Sequence, residues 1–359
     1  MNALSALLLC ASVALCTLDC QGKPRTDTAP TSGPSSAVAA ATPSAGAAAA
    51  RGLPAGPLTI AYSDWPGWIA WDIAVERGFF RDAGVDVKLE WLEYVASMEA
   101  FSEGKVDSVC MTNGDALVSA SGGAQGVGIL LNDYSNGNDM IVARPGFETV
   151  ASLKGKKIGV EVGFVDHLLL MEALKSASLT EADVQILNEK TQNTPELLRS
   201  GAVDAIAAWQ PNSGQALELV PGAKAIFTSA SVPGLIYDLL FVSPKSLRER
   251  RSDWKRVVGV WFMVANYIAD PKTRADAIRI MSARVKLAPA KFAALIGGTF
   301  ILGSEGNRSH FASGATFESV YGSTQAVDRF NVANHTYKAA SDVNANLDPT
   351  LVGEIIAAH

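Results

Sequence analysis

The chain has 359 residues, of which 48% are hydrophobic and 18% charged, and its formal net charge is −6. That length is sufficient for two lobes, each with its own core. The acidic balance excludes nucleic-acid binding through a basic surface, because such a surface needs clustered Lys and Arg. The longest basic cluster, Arg248 to Arg256, is typical of an exposed helix face.

Residues 1–20 form an apolar run that is too short to span a bilayer and is typical of a secretory signal. Bacterial lipoprotein signals carry a small residue before the lipidated cysteine, whereas Leu15 precedes Cys16 and Asp19 precedes Cys20. We therefore expect export to the periplasmic or extracytoplasmic face of a bacterial membrane. Lipidation at Cys16 or at Cys20 stays open.

Residues 21–57 are dominated by Ala, Pro, Ser and Thr, and we expect a disordered tether there. Too little apolar bulk is present to offset the entropy lost on ordering. Three of the four cysteines precede this tether, so Cys110 has no disulfide partner within the folded part. The apolar surroundings of Cys110 predict a buried side chain.

From Leu58 onward, short β-type runs alternate with amphipathic helices, which is the pattern of an α/β fold. The predicted strands are LTIAYS, VDVKLEWL, KVDSVCMT, QGVGILLND, KGKKIGVEVG, DVQILNE, VDAIAAWQ and YDLLFVSP. The predicted helices are residues 67–84, SMEAFSEG, 113–121, VDHLLLMEALKSA and NTPELLRSG, then most of 246–294, 317–330 and 349–357.

Two stretches share one layout, residues 101–117 and residues 198–217. Each has a helix end, a glycine, Val-Asp, a short strand and a polar loop that opens another helix. The repeat predicts two lobes built on the same plan. Since ligands in open α/β sheets bind at the carboxyl ends of strands, we expect one cleft between the two lobes.

Three stretches in combination carry a family resemblance: YSDWPGWIAWDIAVERGFFRDAGVDVKL, SLKGKKIGVEVGFVDHLLLMEAL and SGAVDAIAAWQP. From Leu58 to the C-terminus, the chain resembles the nitrate/sulfonate/taurine class of substrate-binding proteins of ABC importers. That class shares a superfamily with thiamine-pyrimidine-synthase-like proteins.

The resemblance implies the type II periplasmic-binding-protein fold, an α/β fold of two lobes. Mostly parallel sheets flanked by helices and a hinge of two crossing strands are implied, with closure around a small ligand. Lobe 1 would comprise residues 58–142 plus 236–359, and lobe 2 residues 143–235. The implied protein is a monomer without a cofactor, and its partner is an ABC permease.

Three tryptophans, Trp65, Trp68 and Trp71, lie three residues apart just after the first predicted strand. The helical spacing of Trp68 and Trp71 is typical of core residues, whereas Trp65 lies on a loop beside Pro66. Trp209 occupies the matching loop of the second half. We expect Trp65 and Trp209 to close on the ligand from opposite lobes, with Trp68 or Trp71 supporting Trp65.

The predicted cleft loops are acidic and contain neither Lys nor Arg. Carboxylates and indole faces are the usual partners of guanidinium and ammonium groups, so we expect a cationic ligand. Asp166 has an alternative role as the cap of its own helix, and Asn113 also suits a neutral amide. The predicted ligand-binding residues are Asp64, Trp65, Trp68, Asn113, Asp133, Asp139, Glu161, Asp166, Trp209 and Asp238.

The segments WPGW, NDYSNGND and EVGFVDHLLL resemble one branch of this class, the branch associated with urea- and guanidine-carboxylating enzymes. That likeness implies a small nitrogen-rich solute such as guanidinium or urea. CMTNGDAL and AWQPNSG depart from the pattern expected of that branch, and the exact ligand stays open.

Other functions stay open as well. The cleft could hold the class's usual oxyanion (taurine, an alkanesulfonate or nitrate) through backbone N–H groups and Ser63 or Thr112, or it could hold an aminopyrimidine. A signalling role in place of import fits the same tether. An enzyme resembling the pyrimidine synthases, with Cys110 and His167 as a nucleophilic pair, is disfavoured by the exported N-terminus and the single domain cysteine. No metal site is predicted.

Overall fold

The structure is a computed structural model, and it describes residues 56–358. The predicted signal segment, Cys16, Cys20 and all but the last two residues of the predicted tether lie outside the described residues. Within residues 56–358, no helix combines the length and the apolar character needed to cross a bilayer.

Eleven strands are found within the described part of the chain. They are β1 (Leu58–Tyr62), β2 (Val87–Trp91), β3 (Ser108–Thr112), β4 (Val127–Ser135), β5 (Met140–Ala143), β6 (Lys157–Val160), β7 (Gln185–Asn188), β8 (Ala205–Ala208), β9 (Lys224–Thr228), β10 (Tyr237–Val242) and β11 (Thr299–Ile301). Strand β5 coincides with the first of the two predicted crossings, near residues 139–144, whereas β9 and β11 have no counterpart in the sequence-based prediction.

The strands form two sheets, and the last five strands of the first sheet follow the same arrangement as the five strands of the second. The first sheet runs β11-β4-β10-β3-β1-β2, and the second runs β9-β5-β8-β6-β7. In each sheet a central strand pairs in parallel with two neighbours, β1 in the first sheet and β6 in the second. Strands β10 and β5 lie antiparallel to both of their neighbours. The sheets are therefore mixed, which differs from the expected mostly parallel arrangement.

The antiparallel strands have a simple cause, because the chain reaches each of them directly from the other sheet. It passes from β4 to β5 through residues 136–139 and from β9 to β10 through residues 229–236. Ser229 joins the two links, since its hydroxyl lies 2.7 Å from that of Ser135 and also accepts the Gly137 N–H. Strand β5 lies wholly in the second sheet, so the sheets change over before the predicted lobe boundary at residue 142.

The α-helices that cover the sheets are α1 (Trp71–Glu76), α2 (Phe79–Asp82), α3 (Tyr94–Ser102), α4 (Asn113–Ser121), α5 (Val165–Ser176), α6 (Thr194–Ser200), α7 (Asn212–Leu219), α8 (Pro244–Glu249), α9 (Arg251–Ala269), α10 (Arg274–Arg284), α11 (Pro289–Gly297), α12 (Ser304–His310), α13 (Val320–Ala333) and α14 (Thr350–Ile356). The single helix predicted for residues 67–84 is instead a 3₁₀ turn at Trp68–Ala70 followed by α1 and α2. Gly78 separates α1 from α2 with a φ of +72°, a left-handed conformation that favours glycine.

Trp71 belongs to the core of the first sheet and its helices. Its indole is fully buried, stacks on Phe80 and lies 4.8 Å from the ring of Trp261 on α9. Trp71 therefore fills the core and does not line a cleft, which separates it from the two tryptophans that precede it.

Replacing Trp71 by Ala removes these ring contacts and leaves a cavity, so we expect the free energy of unfolding to fall by about 3–5 kcal/mol. Thermal unfolding followed by circular dichroism measures this loss. Trp91→Ala is the comparison variant, because the Trp91 side chain is 38% exposed and should cost less. Equal losses for the two variants would contradict the core assignment of Trp71.

Candidate functional site

Loops from both sheets enclose one cavity at the carboxyl ends of the parallel strands. The cavity is narrow, with a volume of about 10 Å³. Its lining comes from the loops after β1, β2, β6 and β8, from the end of β3, and from the two links with the start of β10. The lining residues are Trp65, Trp68, Tyr94, Thr112, Asp139, Val165, Trp209, Ile236 and Asp238.

An aromatic wall surrounds much of this cavity. Trp65 and Trp68 have ring centroids 6.4 Å apart, and Trp68 lies 5.2 Å from Tyr94. Trp209, which follows β8 in the second sheet, meets Tyr94 edge-on at 5.4 Å. All four rings are buried. The aromatic wall thus joins residues of both sheets.

Two carboxyl groups complete the lining, those of Asp139 and Asp238. Asp139 ends the first link, and Asp238 lies on β10 between its cross-strand partners Thr112 and Asp133. One oxygen of each carboxyl group, Oδ2, is buried and has no hydrogen-bond partner. None of the lining residues is basic. The cavity therefore presents acceptors whose hydrogen-bonding capacity is unused.

Two further carboxyl groups hold the aromatic wall in place. Asp133 Oδ1 accepts the Trp65 indole N–H at 2.9 Å, and Asp115 Oδ2 accepts the Tyr94 hydroxyl at 2.6 Å. Both aspartates are buried. The orientation of Trp65 and Tyr94 thus depends on the acidic groups behind them.

Asp166 does not cap its own helix, in contrast to the alternative role expected from the sequence. The N-cap of α5 is Phe164, and no side chain caps this helix. Asp166 lies inside the first turn, where its Oδ2 is 3.5 Å from the Thr191 hydroxyl and its Oδ1 has no partner. Its side chain is buried in the second sheet's side of the cleft, outside the cavity lining.

Burial raises the pKa of every carboxyl group in this region. The pKa rises to about 7 for Asp115, Asp133 and Asp139, and well above the ordinary range for Asp166 and Asp238. Desolvation is the largest cause, and neighbouring carboxylates add to it. A cation placed among these groups would lower each pKa, because it would favour the charged form.

The remaining predicted residues lie at other places. Asp64 lines an adjoining cleft together with Tyr94 and Trp209, and burial raises its pKa to about 6. The Asn113 side-chain NH₂ donates to the hydroxyl groups of Ser323 and Thr324, and its side-chain oxygen accepts the Tyr237 N–H. These bonds leave its side chain no role in the cavity.

Glu161 also lies outside the cavity lining. Its Oε2 accepts the backbone N–H and the hydroxyl of Thr191, at 3.1 and 3.2 Å. The structure therefore brings together Trp65, Trp68, Asp139, Trp209 and Asp238 of the predicted set, with Asp133 directly behind Trp65.

Four residues of the lining are absent from the predicted ligand-binding set, and Thr112 among them is named only for the oxyanion alternative. They are Tyr94, Thr112, Val165 and Ile236. A signal for Tyr94 existed, since it follows β2 and so lies at the same edge of the sheet as Trp65. Val165 and Ile236 carry no chemical signal, because apolar residues at such positions are indistinguishable from core residues in sequence.

Backbone N–H groups at the start of α5 are the natural anion site of this cleft. Here Val162 donates its N–H to Asn188, and Gly163 donates its N–H to the His167 ring. These two N–H groups, which directly precede the helix, therefore already have acceptors.

Cys110 lies in the middle of β3 with no exposed surface. Burial raises the pKa of its thiol well above the ordinary range, so the reactive thiolate is disfavoured. This geometry gives no support to a nucleophilic pair of Cys110 and His167.

Two solved structures have the same two-lobed α/β fold. The periplasmic aliphatic sulphonate binding protein SsuA from Escherichia coli aligns with a TM-score of 0.67 at 19% identity, over 83% of this chain and 99% of that one. The periplasmic nitrate-binding protein NrtA from Synechocystis PCC 6803 aligns with a TM-score of 0.68 at 11% identity, over 85% and 89%. Identities this low show a shared fold alone.

At the level of sequence, a protein of Brucella abortus (strain 2308) that is named as a binding protein is 32% identical over 208 residues. The match covers 57% of this chain and 64% of that protein, just under two thirds of its length. The family model described as NMT1/THI5 like matches residues 66–267. Since that match covers more than half of the chain, the protein belongs to the NMT1/THI5-like family.

Proposed function

We propose that this protein is an extracytoplasmic solute-binding protein that delivers a small cationic or amide solute, of the guanidinium or urea type, to an ABC permease. The observation that carries the proposal is the pairing of Asp139 and Asp238, with unpartnered buried oxygens, in a cavity walled by aromatic rings. The names of the sequence relative and of both structural neighbours support the broader part, a binding protein for small solutes.

A cation fits this cavity because it would offset the free-energy cost of burying the Asp139 and Asp238 carboxyl groups. Burying a carboxylate without a partner costs several kcal/mol, and attraction to a buried counter-charge offsets that cost only with good hydrogen-bond geometry. A guanidinium group offers five or six N–H donors in one plane, which suit the free oxygens of Asp139 and Asp238. The faces of Trp65, Trp68 and Trp209 would add cation–π attraction.

Size supports a ligand of few atoms. The lining residues leave a volume of only about 10 Å³, room for about one water molecule, so even a small solute would enter only if the walls moved apart. Neutral urea has nearly the same shape as guanidinium, so shape does not separate the two. Charge does, because urea cannot neutralise Asp139 and Asp238.

An oxyanion is the second candidate, since the structural neighbours are a sulphonate- and a nitrate-binding protein. The Ser63 hydroxyl and the Trp68 indole N–H are both buried and have no hydrogen-bond partner, so each could donate a hydrogen bond to an oxyanion. Against this candidate stand the two lining carboxyl groups and the absence of any basic residue in the lining. The charge of the cavity therefore favours the cation.

The membrane-related parts of the proposal follow from the sequence. A secretory signal and a tether, with lipid attachment at Cys16 or Cys20, would hold a monomer at the outer face of the membrane. Docking on a permease would complete import, whereas docking on a sensor would give a signalling role. Co-purification of the full chain with an ABC permease, or instead with a membrane sensor, separates these two roles.

We expect guanidinium chloride at millimolar concentration to raise the melting temperature of the full chain, measured by differential scanning fluorimetry. A ligand at 100 times its dissociation constant adds about 2.7 kcal/mol to folding stability. Urea, taurine, nitrate and an aminopyrimidine form the rest of the panel, and sodium chloride of equal concentration controls for ionic strength. Stabilisation by taurine or nitrate alone would overturn the cationic assignment.

We expect Asp139→Asn to weaken guanidinium binding by roughly 10–100-fold, because hydrogen bonds to a charged group contribute about 1.5–3 kcal/mol. Isothermal titration calorimetry measures the dissociation constant. Asp328→Asn is the matched control: Asp328 is also buried, but it bonds Tyr337 and Ser341 outside the cavity. Equal affinities for the wild type and Asp139→Asn would exclude Asp139 from the binding site.

We expect Trp65→Phe to weaken guanidinium binding by a smaller factor, roughly tenfold, because a desolvated cation–π contact contributes about 2 kcal/mol and Phe retains part of it. Calorimetry again gives the dissociation constant. The control is Trp254→Phe, since Trp254 is fully buried on α9 and donates to Ser246. A larger loss of affinity in the control than in Trp65→Phe would contradict the pocket assignment.

A further inference from the structure

Asp133 and Asp238 form a carboxyl pair at the base of the cavity. They face each other across β4 and β10, and both are at most 1% exposed. One oxygen of each, Oδ2, is buried without a hydrogen-bond partner, and a proton shared between the two groups would satisfy both. Only Asp238 of this pair lines the cavity, so a solute there would reach the pair from one side.

Neighbouring backbone locks the pair in place. The Cα of Gly67 packs against the Asp133 carboxyl group so closely that a Cβ at position 67 would collide with it. On its other oxygen, Asp133 accepts the Trp65 indole N–H. Asp133 therefore cannot turn away from Asp238, and repulsion between the two groups has to be relieved by a proton or by another cation.

The titratable groups around the pair are acidic or neutral. Asp139 from the first link raises the pKa of both members by charge repulsion, and Asp115 from α4 does the same to Asp238. Tyr94 from α3 and Cys110 from β3 also face the pair. Farther along, Asp166 on α5 faces Asp139 and Asp115. None of these groups can serve as a counter-cation.

We propose that the Asp133–Asp238 pair selects the charge of the solute by exchange: a monovalent cation that binds beside Asp238 displaces the shared proton to solvent. The proposal rests on the proposed function, in which the solute is cationic. Charge is conserved in the exchange, because one cation replaces one proton. A neutral amide of the same shape cannot displace the proton, so the pair would favour guanidinium over urea.

The direction of the pKa shifts sets the pH range of this exchange. Burial raises the pKa of Asp133 to about 7 and that of Asp238 further, so the pair holds its proton in acidic solution. Below about pH 7, each cation bound has to displace a proton, and the dissociation constant should fall about tenfold per pH unit. The dependence should weaken only where the pH exceeds the raised pKa of Asp238 and the proton is lost.

The same shifts predict the stability of the ligand-free protein. A carboxyl group whose folded pKa exceeds its unfolded value of about 4 stabilises the fold while it is protonated. That contribution is present at pH 4 and is lost as the pH rises through 7. The melting temperature of the free protein should therefore fall between pH 5 and pH 8, and guanidinium should reverse that fall.

The test measures protons directly. A pH-indicator dye in weakly buffered solution counts the protons released when guanidinium chloride binds the full chain at pH 6, and calorimetry gives the dissociation constants from pH 5.5 to 8. We expect about one proton per guanidinium and a dissociation constant that falls about tenfold per pH unit below pH 7. Urea should release none.

Asp238→Asn retains the shape of the pair but carries no titrating proton at that position. We expect its proton release to fall near zero and its dissociation constant to become independent of pH. Asp133→Asn is the second variant, should Asp238→Asn fail to fold, and Asp328→Asn is the control that should release as many protons as the wild type.

The possible outcomes distinguish the proposed proton–cation exchange from the proposed binding of the solute. Guanidinium binding without proton release would overturn the exchange and leave the proposed function standing. Unchanged proton release in Asp238→Asn and Asp133→Asn would assign the proton to another carboxyl group and overturn the role of the pair. Failure of both guanidinium and urea to bind at any pH would overturn the proposed function itself.

Discussion

The burial of several carboxyl groups without a basic partner is the constraint on which this site depends. Removing a carboxylate from water costs several kcal/mol unless a proton, a cation or hydrogen-bond donors compensate it. Trp65 and Tyr94 compensate part of the charge by donating to Asp133 and Asp115. Asp139 and Asp238 retain free oxygens in the cavity. These free acceptors are the basis of the proposal that the solute is positively charged.

The fold makes this arrangement possible because it brings chain segments from two sheets to one place. The two links hold Asp139 and the start of β10 at the carboxyl ends of the parallel strands, where the loops after β1 and β8 also end. Trp65 and Trp209 thereby meet the same cavity from opposite sheets. The two links therefore carry part of the cavity lining themselves, so a movement of the links would change the shape of the cavity.

The fold is shared with proteins named for sulphonate and nitrate binding, yet the charge of the cavity is not what an anion needs. The N-terminus of α5 shows how one scaffold can serve either charge. The N–H groups of Val162 and Gly163, just before this helix, could receive an oxyanion, but here an asparagine and a histidine ring accept them. A fold of this kind sets where a ligand lies, and the side chains at that place set its charge.

The sequence by itself determined the α/β pattern, most of the strands, the repeated layout and the acidic, tryptophan-rich character of the cleft loops, since these depend on local periodicity and composition. Only the tertiary structure decided that Trp71 packs in the core while Trp65 and Trp68 line the cavity, because residues three apart on one turn differ in partners that come from distant helices. It also placed Asn113 and Glu161 outside the lining and brought in Tyr94 and Ile236. Those positions depend on how the two sheets face each other, and no local stretch of sequence encodes that geometry.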